Sequence, residues 1–216
     1  MATKTPAGIT IELLDLNRST LDEIAAVATE AFADDPFFVF LMANERIRRR
    51  ALGIFFRAMV GESRPGAVVH GARDSSGRLL GVAAFVRPGA WPLSIRAQIR
   101  QLRSALVAMI PRPRALIDGS RYLFAIESIH PKEVMWYLQL LAVDPSAQRG
   151  GIGGALQQQV YPQADREGLV SYLETQKEAN LAYYRRFGYE LDRELKPVRG
   201  GPPLWTMRRE PRPPED

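Results

Sequence analysis

The sequence predicts an α/β fold: a mixed, mostly antiparallel twisted sheet, flanked by helices, with one parallel β-α-β crossover at its centre. Three observations carry that expectation. Apolar runs rich in β-branched and aromatic residues recur between segments of helical spacing. Two such runs close around "DSSG" (74–77) as a hairpin. "MWYLQLLAV" (135–143) then leads through a glycine-rich turn and a helical segment to "LVSYLET" (169–175). That is the order of a right-handed crossover between parallel strands.

Taken in order, "GITIELL" is the first strand. "STLDEIAAVATEAFADD" is a helix capped by Ser19 or Thr20, with Asp22 and Glu23 in its first turn and Leu21, Ile24, Val27 and Ala31 along one side. Asp35–Pro36 opens a second helix as a cap followed by proline at the first helical position. "ERIRRRALGIFFRAMVGE" is a further amphipathic helix, and the hairpin "GAVVHGARDSSGRLLGVAAFVRP" follows it. Residues 88–132 read as a helical insert before the fourth strand. Within it, apolar positions 95, 99, 102, 106 and 109 share one face, and Arg96, Arg100 and Arg103 lie on a solvated one. After the fourth strand come "GIGGALQQQVYPQADREG" as one helix, "LVSYLET" as a strand, "ANLAYYRRFG" as a short helix, and "GYELDREL" and "PPLWTMRR" as the last strands. Residues 9–209 are expected to form a single domain, between a loose N-terminus (1–8) and a loose tail (210–216).

Composition narrows the function. With 216 residues, 46% hydrophobic and 25% charged, the chain is an ordinary globular one. No apolar run approaches the roughly 20 residues of a membrane span, and "MATKTPAG" is followed by no apolar leader core. The absence of cysteine removes disulfides, thiolate metal sites and a cysteine nucleophile, and fits a reducing, cytoplasmic setting. The net charge of +5 mildly favours anionic ligands but is too scattered to point to nucleic acid. The expected partner is a small molecule rather than nucleic acid or membrane, with monomer and homodimer both open.

The chemistry centres on "AQRGGIGGAL" (147–156). Glycine is conformationally costly at a strand-to-helix junction, and close approach of the backbone to a bulky group justifies it. The first N–H groups of a helix are unpaired and carry the positive end of its dipole, so this turn is suited to a phosphate or pyrophosphate. A P-loop requires a lysine and Ser/Thr after the last glycine, where Ala155 and Leu156 stand. A dinucleotide fingerprint starting at Gly151 and Gly153 meets Leu156 where glycine or alanine is needed; Glu174 lies at the right distance, but only one β-α-β unit is present. The pattern Gln/Arg-x-x-Gly-x-Gly/Ala is met by Gln148, Gly151 and Gly153.

"LLAVDPSAQRGGIGGAL" thus resembles the acetyl-CoA-binding segment of the Gcn5-related N-acetyltransferases (GNAT). "ETQKEANLAYYRRFGYE" resembles the later motif of that family, through Asn180, Tyr184, Gly188 and Tyr189. The resemblance implies acetyl-CoA as cofactor. It implies that backbone groups of Gln148, Arg149, Gly150, Gly151, Ile152, Gly153 and Gly154 hold the pyrophosphate. It implies further that Leu141, Ala142 and Val143 pair with the pantetheine arm and that Asn180 contacts it. Gly150 departs from the basic or polar residue common there, and Arg149 is the nearest replacement charge. Amine attack on a thioester expels a thiolate, which a tyrosine hydroxyl, with a pKa near 10, can protonate. Tyr184 is the general acid expected, with Tyr183 as its competitor. "HPKEVMWYLQLLAV" and "GGPPLWTMRRE" extend the similarity toward the puromycin N-acetyltransferase branch, and with it toward antibiotic resistance.

The acceptor side is less defined. An ammonium must lose a proton before it attacks. Glu127, His130, Glu133 and Glu174 are the candidates to take it; Glu174 ends the strand after the crossover and His130 has the apt intrinsic pKa. His70 is expected to be structural. Asp35, Phe37, Phe38, Trp136, Gln139 and Glu174 are the candidate substrate contacts, with Asp34, Phe40 and Trp91 as further neighbours. For Asp35 helix capping competes, and for the phenylalanines core packing does. The expected function is acetyl transfer from acetyl-CoA to a small-molecule primary amine by direct attack in a ternary complex. A protein lysine or N-terminal acetyltransferase, and a non-catalytic acyl-CoA sensor, are the alternatives.

Overall fold

The computed structural model describes residues 5–91 and 113–213. One sheet contains β1 (Thr10–Leu13), β2 (Ala67–Arg73), β3 (Leu79–Val86), β4 (Trp136–Val143), β5 (Ser171–Thr175), β6 (Glu190–Leu195) and β7 (Leu204–Arg209), in the order β1-β2-β3-β4-β5-β7-β6. Every neighbouring pair is antiparallel except β4 with β5. The helices are α1 (Arg18–Phe32), α2 (Pro36–Leu41), α3 (Glu45–Ser63), α4 (Pro113–Ile129), α5 (Ile152–Gln157), α6 (Tyr161–Glu167) and α7 (Ala179–Arg185). The expected helical insert is represented by α4. Its apolar face from 95 to 109 and the arginines at 96, 100 and 103 lie outside the described residues. Among the described residues, no helix is long and apolar enough to cross a membrane.

Two helix boundaries differ from expectation. Asn17, not Ser19 or Thr20, caps α1: its side-chain oxygen accepts the Thr20 N–H at 3.0 Å, so the helix opens earlier. The crossover helix is two helices, separated by a turn at Gln158–Val160. Pro162 has no N–H for the carbonyl of Gln158, which breaks the ladder, and it is tolerated in the first turn of α6.

The sheet buries both faces. α1 and α3 cover one, where Leu21, Ile24, Leu52, Phe56 and Val60 meet Val82, Ala84, Leu140 and Ala142. α5, α6 and α7 cover the other, where Leu156, Ala164 and Tyr184 meet Phe85, Trp136, Leu138, Leu173 and Met207. Each fully buried leucine or phenylalanine contributes about 1.5–3 kcal/mol. Residues 136, 138, 140 and 142 would share a face in a regular strand. They do not, because the β3–β4 register steps from Ala84↔Leu140 to Phe85↔Leu138 and leaves Gln139 without a partner. This bulge switches the faces and bends β4. β4 accordingly pairs with β5 only at Trp136↔Ser171 and Tyr137↔Tyr172. Beyond Tyr137 the two central strands part.

α2 is held in place by a buried cation. Arg48 of α3 donates to the carbonyls of Ala33, Met42 and Ala43 at 2.5, 2.7 and 3.1 Å, tying the ends of α1 and α2 to α3.

Candidate active site

The gap between β4 and β5 runs into the glycine-rich turn. Asp144, at the end of β4, caps the short helical turn Pro145–Ala147 by accepting the Ser146 N–H at 2.9 Å, and pairs with Arg78 at 2.5 Å. Arg149 and Gly151 then adopt left-handed conformations (φ 65° and 86°), which let successive N–H groups converge. None of the N–H groups of Arg149 through Gly154 donates to an acceptor among the described residues, and the first helical bond is from Ala155 to Gly151. Residues Gln148 to Gly151 are exposed. Open, convergent, unpaired donors at a helix start fit a diphosphate. Gln148 turns its side chain back, donating to the Val143 carbonyl at 3.0 Å, and so braces the turn against the strand.

α7 flanks the gap on the side of the crossover helices. Asn180 does not cap this helix: its side chain donates to Thr175 Oγ1 at 2.9 Å, linking α7 to the end of β5. The Tyr183 hydroxyl accepts from Gln157 Nε2 at 2.9 Å and lies 2.6 Å from where a Cβ on Gly153 would stand. Burial pushes its pKa up to about 12. Gln157 in turn accepts from Tyr161, so α5, α6 and α7 share one polar chain. Tyr184 packs into the core beside Tyr183 and Tyr189, and burial raises its pKa strongly. Both phenols therefore remain proton donors near neutrality.

The opposite face of the gap looks toward α3 and α4. Tyr172 and Glu174 alternate with Leu173 and so project there. Glu174 Oε1 meets His130 Nδ1 at 3.3 Å, with both side chains buried. Trp91, Tyr137 and Tyr172 surround the imidazole. Burial first, and then the Glu174 carboxylate, raise the pKa of Tyr137 and of Tyr172 far above the usual phenol range. Gln139, at the bulge, accepts from Ser63 Oγ at 2.8 Å. A cleft of about 320 Å³ opens beside His130, between Trp91, Glu127, Met135 and Tyr137. A larger concavity of about 690 Å³ between α1, α3 and the β2–β3 turn touches none of these groups.

Other expected contacts are placed elsewhere. Trp136 lies on the far side of the sheet, donating to Glu167 at 2.8 Å and packed on Phe85, because alternation along β4 points it away from Tyr137. Phe38 belongs to an aromatic cluster with Phe32, Phe55 and Phe56. Phe37 and Phe40 pack on Tyr122 of α4. Asp35 caps α2, accepting the Phe37 N–H at 2.9 Å; burial raises its pKa, opposed by that bond, by one from Phe38 and by the charge of Lys177. Asp34 is exposed and pairs with Arg48 only at 3.8 Å. Glu133 is paired with Arg208, and Glu127 is exposed. His70 is half-buried in β2, where burial lowers its pKa. Sequence reasoning did not single out Tyr137, Tyr172 or Ser63. The two-residue spacing of Tyr172 and Glu174 on one strand face was the available signal.

Residues 116–191 match a family model described as an acetyltransferase (GNAT) domain. The chain is similar to the structure of "histone acetyltransferase HPA2 and related acetyltransferase" from Corynebacterium glutamicum, at 24% identity over 97% of this chain and 99% of that one, with a TM-score of 0.69. It is also similar to the Escherichia coli ribosomal-protein-S18-alanine N-acetyltransferase (14% identity, 96% and 97% covered, TM-score 0.55). A third is the PaiA N-acetyltransferase of Thermoplasma acidophilum, solved with coenzyme A (12%, 94% and 98%, 0.55). The fold is that of these structures, and residues 116–191 carry the match to an acetyltransferase (GNAT) domain. The acyl donor of that class is acetyl-CoA.

Proposed function

We propose that the protein acetylates a primary amine of a small molecule, with acetyl-CoA as donor. The observation that carries this reading is the parting of β4 and β5 into a gap that ends on the unpaired N–H groups of Arg149 through Gly154. When bound, acetyl-CoA supplies an activated acyl thioester. The turn holds its diphosphate, the free edge of β4 at Leu141, Ala142 and Val143 aligns its arm, and Asn180 lies alongside. Tyr184 gives a proton to the departing sulfur. Gln139, Glu174 and His130 serve the acceptor from the opposite face. Holding amine and thioester together supplies a large part of the rate enhancement, because proximity alone is worth up to about 7–11 kcal/mol.

A small acceptor is favoured over a protein because the cleft beside His130 is only about 320 Å³, bounded by Trp91, Met135 and Tyr137. The test is a thiol-release assay with acetyl-CoA across small amines, puromycin included, and peptides with free N-termini or lysines. Turnover confined to peptides overturns the small-molecule reading. Calorimetry that detects no coenzyme A binding overturns the acetyltransferase reading as a whole.

A further inference from the structure

His130 and Glu174 come from opposite ends of the β4–β5 unit, and the fold joins them. Their side chains are 2% and 6% exposed, with Nδ1 and Oε1 3.3 Å apart. A carboxylate oxygen accepts, so the contact puts the proton on Nδ1, and in the neutral ring the lone pair then lies on Nε2. Nε2 is buried and has no hydrogen-bond partner among the described residues. Buried polar atoms are nearly always paired, and an exception calls for a ligand or a chemical role. Ring orientation is fixed by three neighbours: Trp91 at 4.7 Å and 37°, Tyr137 at 4.8 Å and 79°, and Tyr172 at 5.2 Å and 79°. The adjoining cleft of about 320 Å³ has apolar walls at Val86, Trp91, Met135 and Tyr137. It is small for a binding pocket, near the lower end of the usual 300–1,000 Å³ or so.

Resting on the acetyltransferase reading, we propose that His130 and Glu174 act as one unit in which Nε2 takes the proton of the acceptor's ammonium group. Glu174 is the positioning residue that holds the ring in the required tautomer. The acceptor is a compact primary amine whose apolar body lies beside Trp91 and Tyr137. In this step one N–H bond of the ammonium breaks and one forms on Nε2. The electron pair left on nitrogen makes the bond to the acyl carbon as the carbon–sulfur bond breaks. The imidazolium passes its proton to solvent, and the second proton lost by nitrogen balances the one that sulfur takes from Tyr184. The titratable or charged groups facing the unit are Tyr137 from β4, Tyr172 from β5, Glu127 from α4, and Arg87, Lys132 and Glu133 across the cleft.

The test uses the full chain with acetyl-CoA and 2-phenylethylamine, comparing wild type with His130→Gln, His130→Asn, Glu174→Gln and the Gln/Gln double variant. Coenzyme A binding by calorimetry is measured on each and is expected to be unchanged, which reports the fold and the donor site independently of activity. His130→Gln and His130→Asn are expected to lower kcat/KM for the amine by about 10²-fold or more. Glu174→Gln is expected to lower it by about 10-fold, and the double variant to be no worse than His130→Gln, since groups acting as a unit are not additive. With only two histidines in the chain, imidazole 15N spectra resolve the ring. Wild type shows the Nδ1–H form at His130, and Glu174→Gln a mixture. Trp91→Ala is expected to raise KM for the amine and, by freeing the His130 ring, to lower kcat as well. His130 variants within about threefold of wild type overturn the proposal, because a general base contributes far more. So does Glu174→Gln abolishing turnover with the His130 tautomer unchanged, which makes Glu174 the base by itself. Wild type that binds coenzyme A but acetylates neither 2-phenylethylamine, tryptamine nor puromycin overturns the acceptor assignment. Wild type that does not bind coenzyme A overturns the underlying acetyltransferase reading instead.

Discussion

The rings of Tyr183 and Tyr184, neighbours in sequence, stand 5.1 Å apart and 73° from parallel. The first hydroxyl is held at the glycine turn by Gln157, and the second ring is sunk between α7 and Tyr189. One residue of helix turns a side chain by about 100°, so only one of the two can serve a given atom. Tyr184→Phe is expected to lower kcat by about 10²–10⁴-fold with coenzyme A affinity retained. Tyr183→Phe is expected to act on the KM for acetyl-CoA and to leave kcat nearly intact. Steady-state kinetics with calorimetry separate them, and reversed effects would exchange the two roles.

The closeness of α5 to α7 makes Gly153 sensitive to a single methyl group. A Cβ there would lie 2.6 Å from the Tyr183 hydroxyl and 3.7 Å from Val143 Cγ2. The hydroxyl cannot yield freely, because Gln157 holds it at 2.9 Å. Gly153→Ala is expected to weaken coenzyme A binding about tenfold, equivalent to 1.4 kcal/mol. Adding Tyr183→Phe removes the obstructing oxygen and should recover most of that loss in the same calorimetric titration. An affinity equally poor in both variants would place the damage in the turn itself.

The order of elements was legible because it rests on local signals: period-two runs, helical spacing and turn residues. The glycine-rich turn was legible too, since one short stretch of sequence holds it. The surroundings of His130 and Glu174 were not: both residues stand out in the sequence, but their pairing and the Trp91, Tyr137 and Tyr172 rings around the imidazole arise only when the tertiary fold brings separate elements together. Trp136 was misassigned because the Gln139 bulge, which sets the face of every β4 side chain, has no signature in the sequence. Asn17 was overlooked as a cap because the hydroxyls that follow it make an equally good local pattern.

Arg48 is expected to govern the placement of α2. Its guanidinium is buried and satisfies the carbonyls of Ala33, Met42 and Ala43. Its ion pair with the exposed Asp34 at 3.8 Å adds little by comparison. Arg48→Met keeps the bulk but strands those carbonyls, at about 2–4 kcal/mol. Thermal unfolding should show a Tm lower by about 5–10 °C. Asp34→Ala should leave it unchanged, and an equal loss in Asp34→Ala would shift the weight to the ion pair.

Asp165 and Arg209 lock the crossover to the sheet, and their contribution should depend on pH. Arg209 donates to the two carboxylate oxygens at 2.7 and 2.8 Å and lies over the Tyr161 ring at 4.5 Å, while the Arg212 N–H reaches Asp165 at 2.9 Å. Burial tends to raise the Asp165 pKa, but these donors outweigh it and hold it below the ordinary value of 3.8. A carboxylate depressed in the folded state stabilises fully above its unfolded pKa, and the stabilisation fades as pH falls through the folded one. Asp165→Asn leaves the buried guanidinium without its counter-charge, a loss on the order of 3 kcal/mol at pH 7. The stability gap between wild type and variant, read from urea unfolding, should stay constant from neutrality down to about pH 5 and narrow below about pH 4. A gap that persists undiminished to pH 2 would assign the effect to shape at the α6–β7 contact rather than to charge.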